Sequence, residues 1–416
     1  MDHVAISNPP SASPRAEDLP RDLKQSRSGK GESTTATRRV LLLYVRAGVG
    51  HERAARAVAQ AMREADPNTE PILHDALDLA TWPLRLLYAS TYNRMLARTP
   101  RVWGVVYNRS GTPPHGFRAR SRTRATMLFC KDFLGAVERY QPDSILCTQF
   151  LPAEVYATLR EDGQLSVPVF TVITDFMVHP IWVYRGMDRY FVATQTTKDE
   201  LVDTGEVPPE RVQVTGIPID PKFAVPVTKE EARRQVGLHL DPSRMTVLAM
   251  SGGFGWGPME QVVEVILALP ERVQALVICG RNERLRKRLV ERVRGMEDRI
   301  KISGFTDRVD LFMAAADVMV GKSGGLTTSE AMARGLPMIV FRPIPGQEER
   351  NCDFLQEAGA GVRVHDYEEL HYRLQHFLVH PEHLEVMRAA AERIGRPRAA
   401  FDVARALTGP RATAQG

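Results

Sequence analysis

Hydrophobic residues along this chain gather into short unbroken runs separated by glycine-bearing turns and polar helical stretches. The run RVLLLYV at 39–45 precedes the turn Gly48-Val49-Gly50-His51, and a helical pattern follows over about 52–64. A strand covered on both faces carries such a run, and strands alternating with helices predict a parallel sheet. Residues 144–147, 169–173 and 189–192 repeat the pattern, the last with a following helix. Together they predict one doubly wound domain over 39–216.

The second half restarts the same grammar. A strand at 245–250 ends in Ser251-Gly252-Gly253-Phe254-Gly255-Trp256-Gly257, and a helix from about Met259 leads to a strand at 275–279. Another strand at 317–320 runs into the turn Lys322-Ser323-Gly324-Gly325 and an Ala-rich helix ending near Gly335. Gly280, Gly304 and Gly321 each follow a short apolar run, where glycine lets a ligand approach the backbone at the carboxyl edge of an open sheet. This predicts a second domain over 217–395, joined to the first by a linker at 216–221, with 396–416 a tail whose helix crosses back. The expected fold class is α/β, with two facing Rossmann-like doubly wound domains and a central cleft.

Composition narrows the class. The 416 residues suit two or three ordinary domains, and 43% hydrophobic with 25% charged residues is the balance of a soluble globular protein. Residues 1–38, rich in Ser, Pro, Arg and Lys and lacking an apolar signal segment, read as a disordered tail. Cys130, Cys147, Cys279 and Cys352 show no C-x-x-C spacing, which favours reduced core thiols over disulfides or zinc. No apolar run approaches the roughly 18 to 20 residues of a membrane span.

The chemistry concentrates at 321–330. A Lys-Ser-Gly-Gly turn opening a helix leaves backbone N–H groups at a positive helix end, where a diphosphate can be held. Glu330, in the early turns of that helix, has a carboxylate suited to a ribose diol. The glycine-rich 251–257 segment does not match G-x-G-x-x-G, which disfavours an NAD enzyme, and no P-loop motif occurs. Nor is there an Asp-x-Asp triplet, so no metal-held diphosphate is expected.

These residues resemble the monogalactosyldiacylglycerol synthase and processive diacylglycerol glucosyltransferase family, and more distantly the peptidoglycan N-acetylglucosaminyltransferase. The resemblance covers about residues 39–395. It rests on Gly48-x-Gly50-His51, Thr174-Asp175-Phe176-x-x-His179-x-x-Trp182, Val214-Thr215-Gly216-Ile217-Pro218, Ser251 to Pro258, Gly304-Phe305-Thr306, and the run from Gly321 through Gln347-Glu348 to Asn351. It departs at Arg46, where relatives usually carry a small polar or acidic residue.

The resemblance implies a GT-B fold and metal-independent inverting transfer of glucose or galactose from UDP-glucose or UDP-galactose to diacylglycerol, with no cofactor. It implies that Glu330 binds the ribose and that Gly324, Gly325, Leu326 and Thr327 hold the phosphates through backbone amides. Gln347 and Glu348 would face the hexose, and Ser251, Gly252, Gly253 and Phe254 would line the uracil and diphosphate side. His179 and Trp182 would lie on the acceptor side. Inverting transfer needs a base for the acceptor hydroxyl, and both His51 and Asp175 are candidates. A UDP-N-acetylglucosamine 2-epimerase and a transferase acting on a polyprenyl or soluble acceptor are the alternatives.

Between Leu79 and Lys131 there is no Asp or Glu, while arginines and aromatic residues interleave. Arg118, Arg120, Arg122 and Arg124 with Trp103 fit an interfacial dock on an anionic membrane surface. The expected location is therefore cytoplasmic and peripheral, at the inner face of the cell membrane. No nucleic-acid recognition motif accompanies the basic residues.

Overall fold

The computed structural model describes residues 37–46, 49–87, 126–130, 132–236, 240–250 and 258–409. Two parallel six-stranded sheets organise them. The first contains β1 (Arg38–Tyr44), β2 (Thr69–Asp75), β3 (Ser144–Cys147), β4 (Val169–Val172), β5 (Arg189–Val192) and β6 (Val212–Val214), in the order β2-β1-β3-β4-β5-β6. The second contains β7 (Met245–Met250), β8 (Val273–Ile278), β9 (Ile300–Ser303), β10 (Val318–Gly321), β11 (Met338–Phe341) and β12 (Gly361–Val364), in the order β12-β11-β10-β7-β8-β9.

Helices cover both faces of each sheet, which explains the unbroken apolar runs. In β1, Leu41 and Leu43 pack with Phe133 and Tyr156 on one face. Val40 and Leu42 pack on the other with Ala55, Val58 and Met62. In β7, Val247 and Ala249 face one core and Leu248 the opposite one. The order in which strands are added switches sides of the sheet between β1 and β3 and again between β7 and β10. Such switch points open a crevice at the carboxyl ends of the strands, so residues following β1, β3, β7 and β10 are the ones placed to meet a ligand.

Several expectations change. The first helix is Val49–Ala65, so Gly50 and His51 belong to its first turn and not to a preceding loop. The connection expected at 216–221 is buried: Ile217 joins a small apolar cluster with Ala54, Phe176, Ala193 and Leu326, and Ile219 enters the core of the second half. The helix Ala399–Thr408 packs Ala400, Val403, Ala404 and Leu407 against the first helix. All four cysteines are buried and unpaired. Arg38 already begins β1, and the rest of the expected tail, residues 1–36, lies outside the described residues. So do Ser251, Gly252, Gly253 and Phe254, and Trp103, Arg118, Arg120, Arg122 and Arg124. No described helix is long and apolar enough to cross a membrane.

Candidate functional site

Two helix starts adjoin at the cleft. The helix Gly325–Ala333 follows β10 and begins at Gly324 without a side-chain cap. Its first-turn N–H groups, on Gly325, Leu326 and Thr327, have no intrahelical acceptor, and the helix dipole adds positive potential there. The start of the first helix lies alongside, since a Cβ on Gly50 would be 3.7 Å from Leu326 Cδ1. The Leu326 side chain is buried with Ala54 and Phe176, so this leucine offers its backbone to a ligand and its side chain to the seam between the halves.

His51 is held in one tautomer. Its Nδ1 lies 2.7 Å from the Thr148 carbonyl oxygen and 3.2 Å from Thr174 Oγ1. A carbonyl only accepts, so Nδ1 carries the proton and Nε2 keeps its lone pair. Burial pushes the imidazole down to about 4, against the opposing effect of the Thr148 bond, so it is neutral near pH 7. Thr148 Oγ1 donates back to the His51 carbonyl at 2.9 Å, and the Trp182 ring sits 6.5 Å away between centroids.

Asp175, just after β4, is buried and bridges the halves. Gln347 Nε2 lies 2.6 Å from each of its carboxylate oxygens, and Asn351 Nδ2 lies 3.4 Å from Oδ1. Asn351 also donates to the Ser323 carbonyl at 3.0 Å and accepts from the Phe176 N–H at 3.1 Å. Burial raises the Asp175 carboxyl to about 6, while the two amide bonds pull the other way. Beside this network Phe176 stacks on Phe354 with centroids 4.4 Å apart.

Glu330 is 1% exposed and is paired with Arg53 of the first helix. Burial raises its carboxyl, with the Arg53 charge opposing. In front of this pair lies a cavity of about 340 Å³, lined by Arg53, Arg56, Lys222, Gly280, Arg281, Phe305 and Thr327 among others. That volume falls within the ordinary range of small-molecule sites. The Arg281 guanidinium lies 5.1 Å over the Phe305 ring.

The structure thus brings His51, Asp175, Gly324, Gly325, Leu326, Thr327, Glu330, Gln347 and Glu348 to one seam. Gln347 holds Asp175, and the Glu348 carboxylate accepts from the Ile344 N–H at 2.7 Å. Of the acceptor-side pair, His179 Nδ1 accepts from the Ile181 N–H at 3.2 Å, and Trp182 is buried, with Phe150 edge-on at 6.1 Å. Trp182 therefore backs His51 instead of presenting an open ring. Arg46, the departure noted above, pairs with buried Asp75 at 3.4 Å. Arg53 and Thr148 were not singled out from the sequence. The signal that could have found the arginine is the charge cluster Glu52-Arg53-Arg56 at the start of the helix that follows β1.

Relatives decide the family. A processive diacylglycerol beta-glucosyltransferase of Bacillus mycoides is 30% identical over 366 residues, covering 86% of this chain and 90% of that protein. The chain belongs to this family. A model described as monogalactosyldiacylglycerol (MGDG) synthase matches residues 51–219, and one described as glycosyl transferases group 1 matches residues 256–394. The Bacillus pumilus enzyme of the same name is 34% identical, over 61% of this chain and 64% of its own length. The chain thus spans less than two thirds of that relative.

Solved structures share the fold at low identity. A Staphylococcus aureus MnaA–UDP structure matches with a TM-score of 0.57 and 17% identity over 88% of this chain and 94% of its own. Acinetobacter baumannii MurG matches with a TM-score of 0.57 and 15% identity over 89% of this chain and 99% of its own. The two facing parallel sheets are the GT-B architecture.

Proposed function

We propose that this chain transfers a hexose from a UDP-sugar to the hydroxyl of diacylglycerol, with inversion and without a metal ion. The observation that carries this reading is an imidazole whose Nδ1 is turned to the Thr148 carbonyl, which leaves Nε2 to act as the base, beside two adjoining helix N-termini. His51 Nε2 takes the proton as the acceptor oxygen attacks the anomeric carbon. The bond from that carbon to the phosphate oxygen breaks, and its electron pair leaves with UDP. The N–H groups of Gly325, Leu326 and Thr327, aimed at the departing diphosphate, stabilise the charge that a metal would otherwise meet. Asp175, already held by amide donors, is an anchor between the halves. Glu330 is proposed to bind the ribose, and Gln347 and Glu348 the hexose.

In this reading residues 39–216 form the acceptor half and 217–395 the donor half, with the last helix returning to the first. Membrane docking falls to the basic aromatic segment between Leu79 and Lys131. Its two described ends are pinned together by the Thr81 N–H donating to the Phe129 carbonyl at 2.8 Å, with Trp82 and Leu128 exposed beside them. Such a dock suits a peripheral enzyme at the cytoplasmic face, where anionic lipid attracts arginines.

Glucose is the favoured donor hexose because the relatives are named glucosyltransferases. The test is purified protein with labelled UDP-glucose or UDP-galactose and diacylglycerol liposomes, with and without EDTA, followed by separation of the lipids. A labelled glycolipid that forms in EDTA supports the reading. No glycolipid from either donor, or conversion of UDP-N-acetylglucosamine in the absence of any acceptor, overturns it.

A further inference from the structure

Arg53 occupies an unusual position among the cations of the cleft. Arg56 pairs with Glu52 on its own helix at 2.7 Å, and Lys222 pairs with Asp220 at 3.2 Å. Arg53 instead reaches across the seam to Glu330, which lies behind it, while its own side chain stays 40% exposed toward the cavity. Glu330 Oε2, by contrast, is buried without a hydrogen-bond partner. The pair is therefore half satisfied: one carboxylate oxygen is taken by the arginine and the other awaits a donor, at a real cost for a buried polar atom.

A vicinal diol supplies two O–H donors, one for each carboxylate oxygen. If it takes both, the guanidinium is released beside the adjoining helix starts, with the first-turn backbone of Thr327 on the same cavity wall. A planar guanidinium freed there matches the paired oxygens of a diphosphate.

We propose that Arg53 exchanges partners. In the empty cleft it neutralises Glu330; with a nucleoside diphosphate bound, the ribose holds Glu330 and Arg53 clamps the diphosphate. The inference rests on the UDP reading and deepens it. It gives the metal-free site a mobile cation carried by the acceptor half, in the same helix turn as His51, so donor occupancy is sensed by the helix that bears the base.

Calorimetric titration with UDP and with uridine tests the exchange, because uridine carries the diol but not the diphosphate. Arg53→Gln is expected to weaken UDP about tenfold to a hundredfold, the scale of a lost charge-assisted pair, while uridine binds as well as before or better. Arg53→Lys should recover part of the UDP affinity. Equal losses for UDP and uridine would make Arg53 a structural partner of Glu330 only, and unchanged UDP affinity would remove it from the diphosphate. The same UDP loss in Arg56→Gln would reduce the effect to the general positive field of the cleft. Each of these three results overturns the proposal. A wild-type protein that binds neither ligand rejects the UDP reading itself.

Discussion

Gly325 stands so close to Thr174 across the seam that a Cβ on the glycine would fall inside the contact shell of the Thr174 carbonyl oxygen. Thr174 also places its hydroxyl 3.2 Å from His51 Nδ1, so one residue touches both the helix start proposed for the phosphates and the imidazole. Backbone cannot yield as a flexible side chain does. Gly325→Ala should therefore destabilise the protein by roughly 1 to 3 kcal/mol, the usual cost of overpacking, and should lower kcat more than UDP affinity. Gly324 is the control: a Cβ there has only Glu348 Oε1 nearby, at 3.9 Å, and Gly324→Ala should stay within about 0.5 kcal/mol of wild type. Denaturant unfolding of both variants checks the contrast, and equal stabilities would contradict the close approach.

Glu330→Gln keeps the side-chain volume and removes the charge. Since burial already raises this carboxyl, the variant should fold at least as well as wild type. UDP affinity should fall about tenfold to a hundredfold, corresponding to roughly 1.5 to 3 kcal/mol for charge-assisted hydrogen bonds to the ribose. Calorimetry on the folded variant decides the matter, and an unchanged dissociation constant would remove Glu330 from the nucleotide site.

The fold was legible at several strands covered on both faces, although β11, an equally buried apolar run inside the second sheet, was not anticipated. β3, β5 and β7 have the bounds their apolar runs predict, because every residue between the turns needs a hydrophobic partner. β2, with the sequence TEPILHD, and β12, with GVRV, lie at sheet edges where polar residues interrupt the run, and neither was anticipated. The site was legible as a set of motifs but not as a set of contacts. Arg53 and Glu330 are 277 positions apart, and Asp175 and Gln347 are 172 apart. No periodicity or spacing announces such pairs, because the folding of two separate sheets brings them together.

Acid titration should separate the two candidate bases. His51 is held near 4, so a base of that kind keeps kcat level until the pH falls toward 4; Asp175 is held near 6, and an Asp175 base would bring the acid limb up to about 6. We expect the limb of the lower value.

Stability gives an independent check with opposite signs. His51 binds its proton more weakly folded than unfolded, so its contribution is complete above about 6.5 and is lost as pH falls toward 4. Asp175 binds its proton more tightly folded, so its contribution declines as pH rises from about 3.8 to 6. The two slopes offset each other in the wild type. Asp175→Asn should therefore expose the His51 slope, with stability rising by up to roughly 1.4 kcal/mol per pH unit across this window. A flat profile in that variant would mean His51 is not held neutral by burial.

Membrane association is the remaining link between the cleft and a lipid acceptor. If the segment between Leu79 and Lys131 docks through its arginines, flotation with vesicles should require anionic lipid. Binding should weaken as salt rises, because exposed charges are screened beyond about 8 to 10 Å at 0.1 to 0.15 M. Changing Arg118, Arg120, Arg122 and Arg124 together to Gln should release the protein without altering UDP affinity, since the nucleotide helix Gly325–Ala333 belongs to the other half. Trp82, exposed at the described end of the segment, offers a separate apolar handle. Trp82→Ala should weaken binding by the same factor at low and high salt, through lost interfacial burial of its ring. Equal binding to neutral and anionic vesicles, or none to either, would detach this segment from the membrane and turn attention to a soluble acceptor.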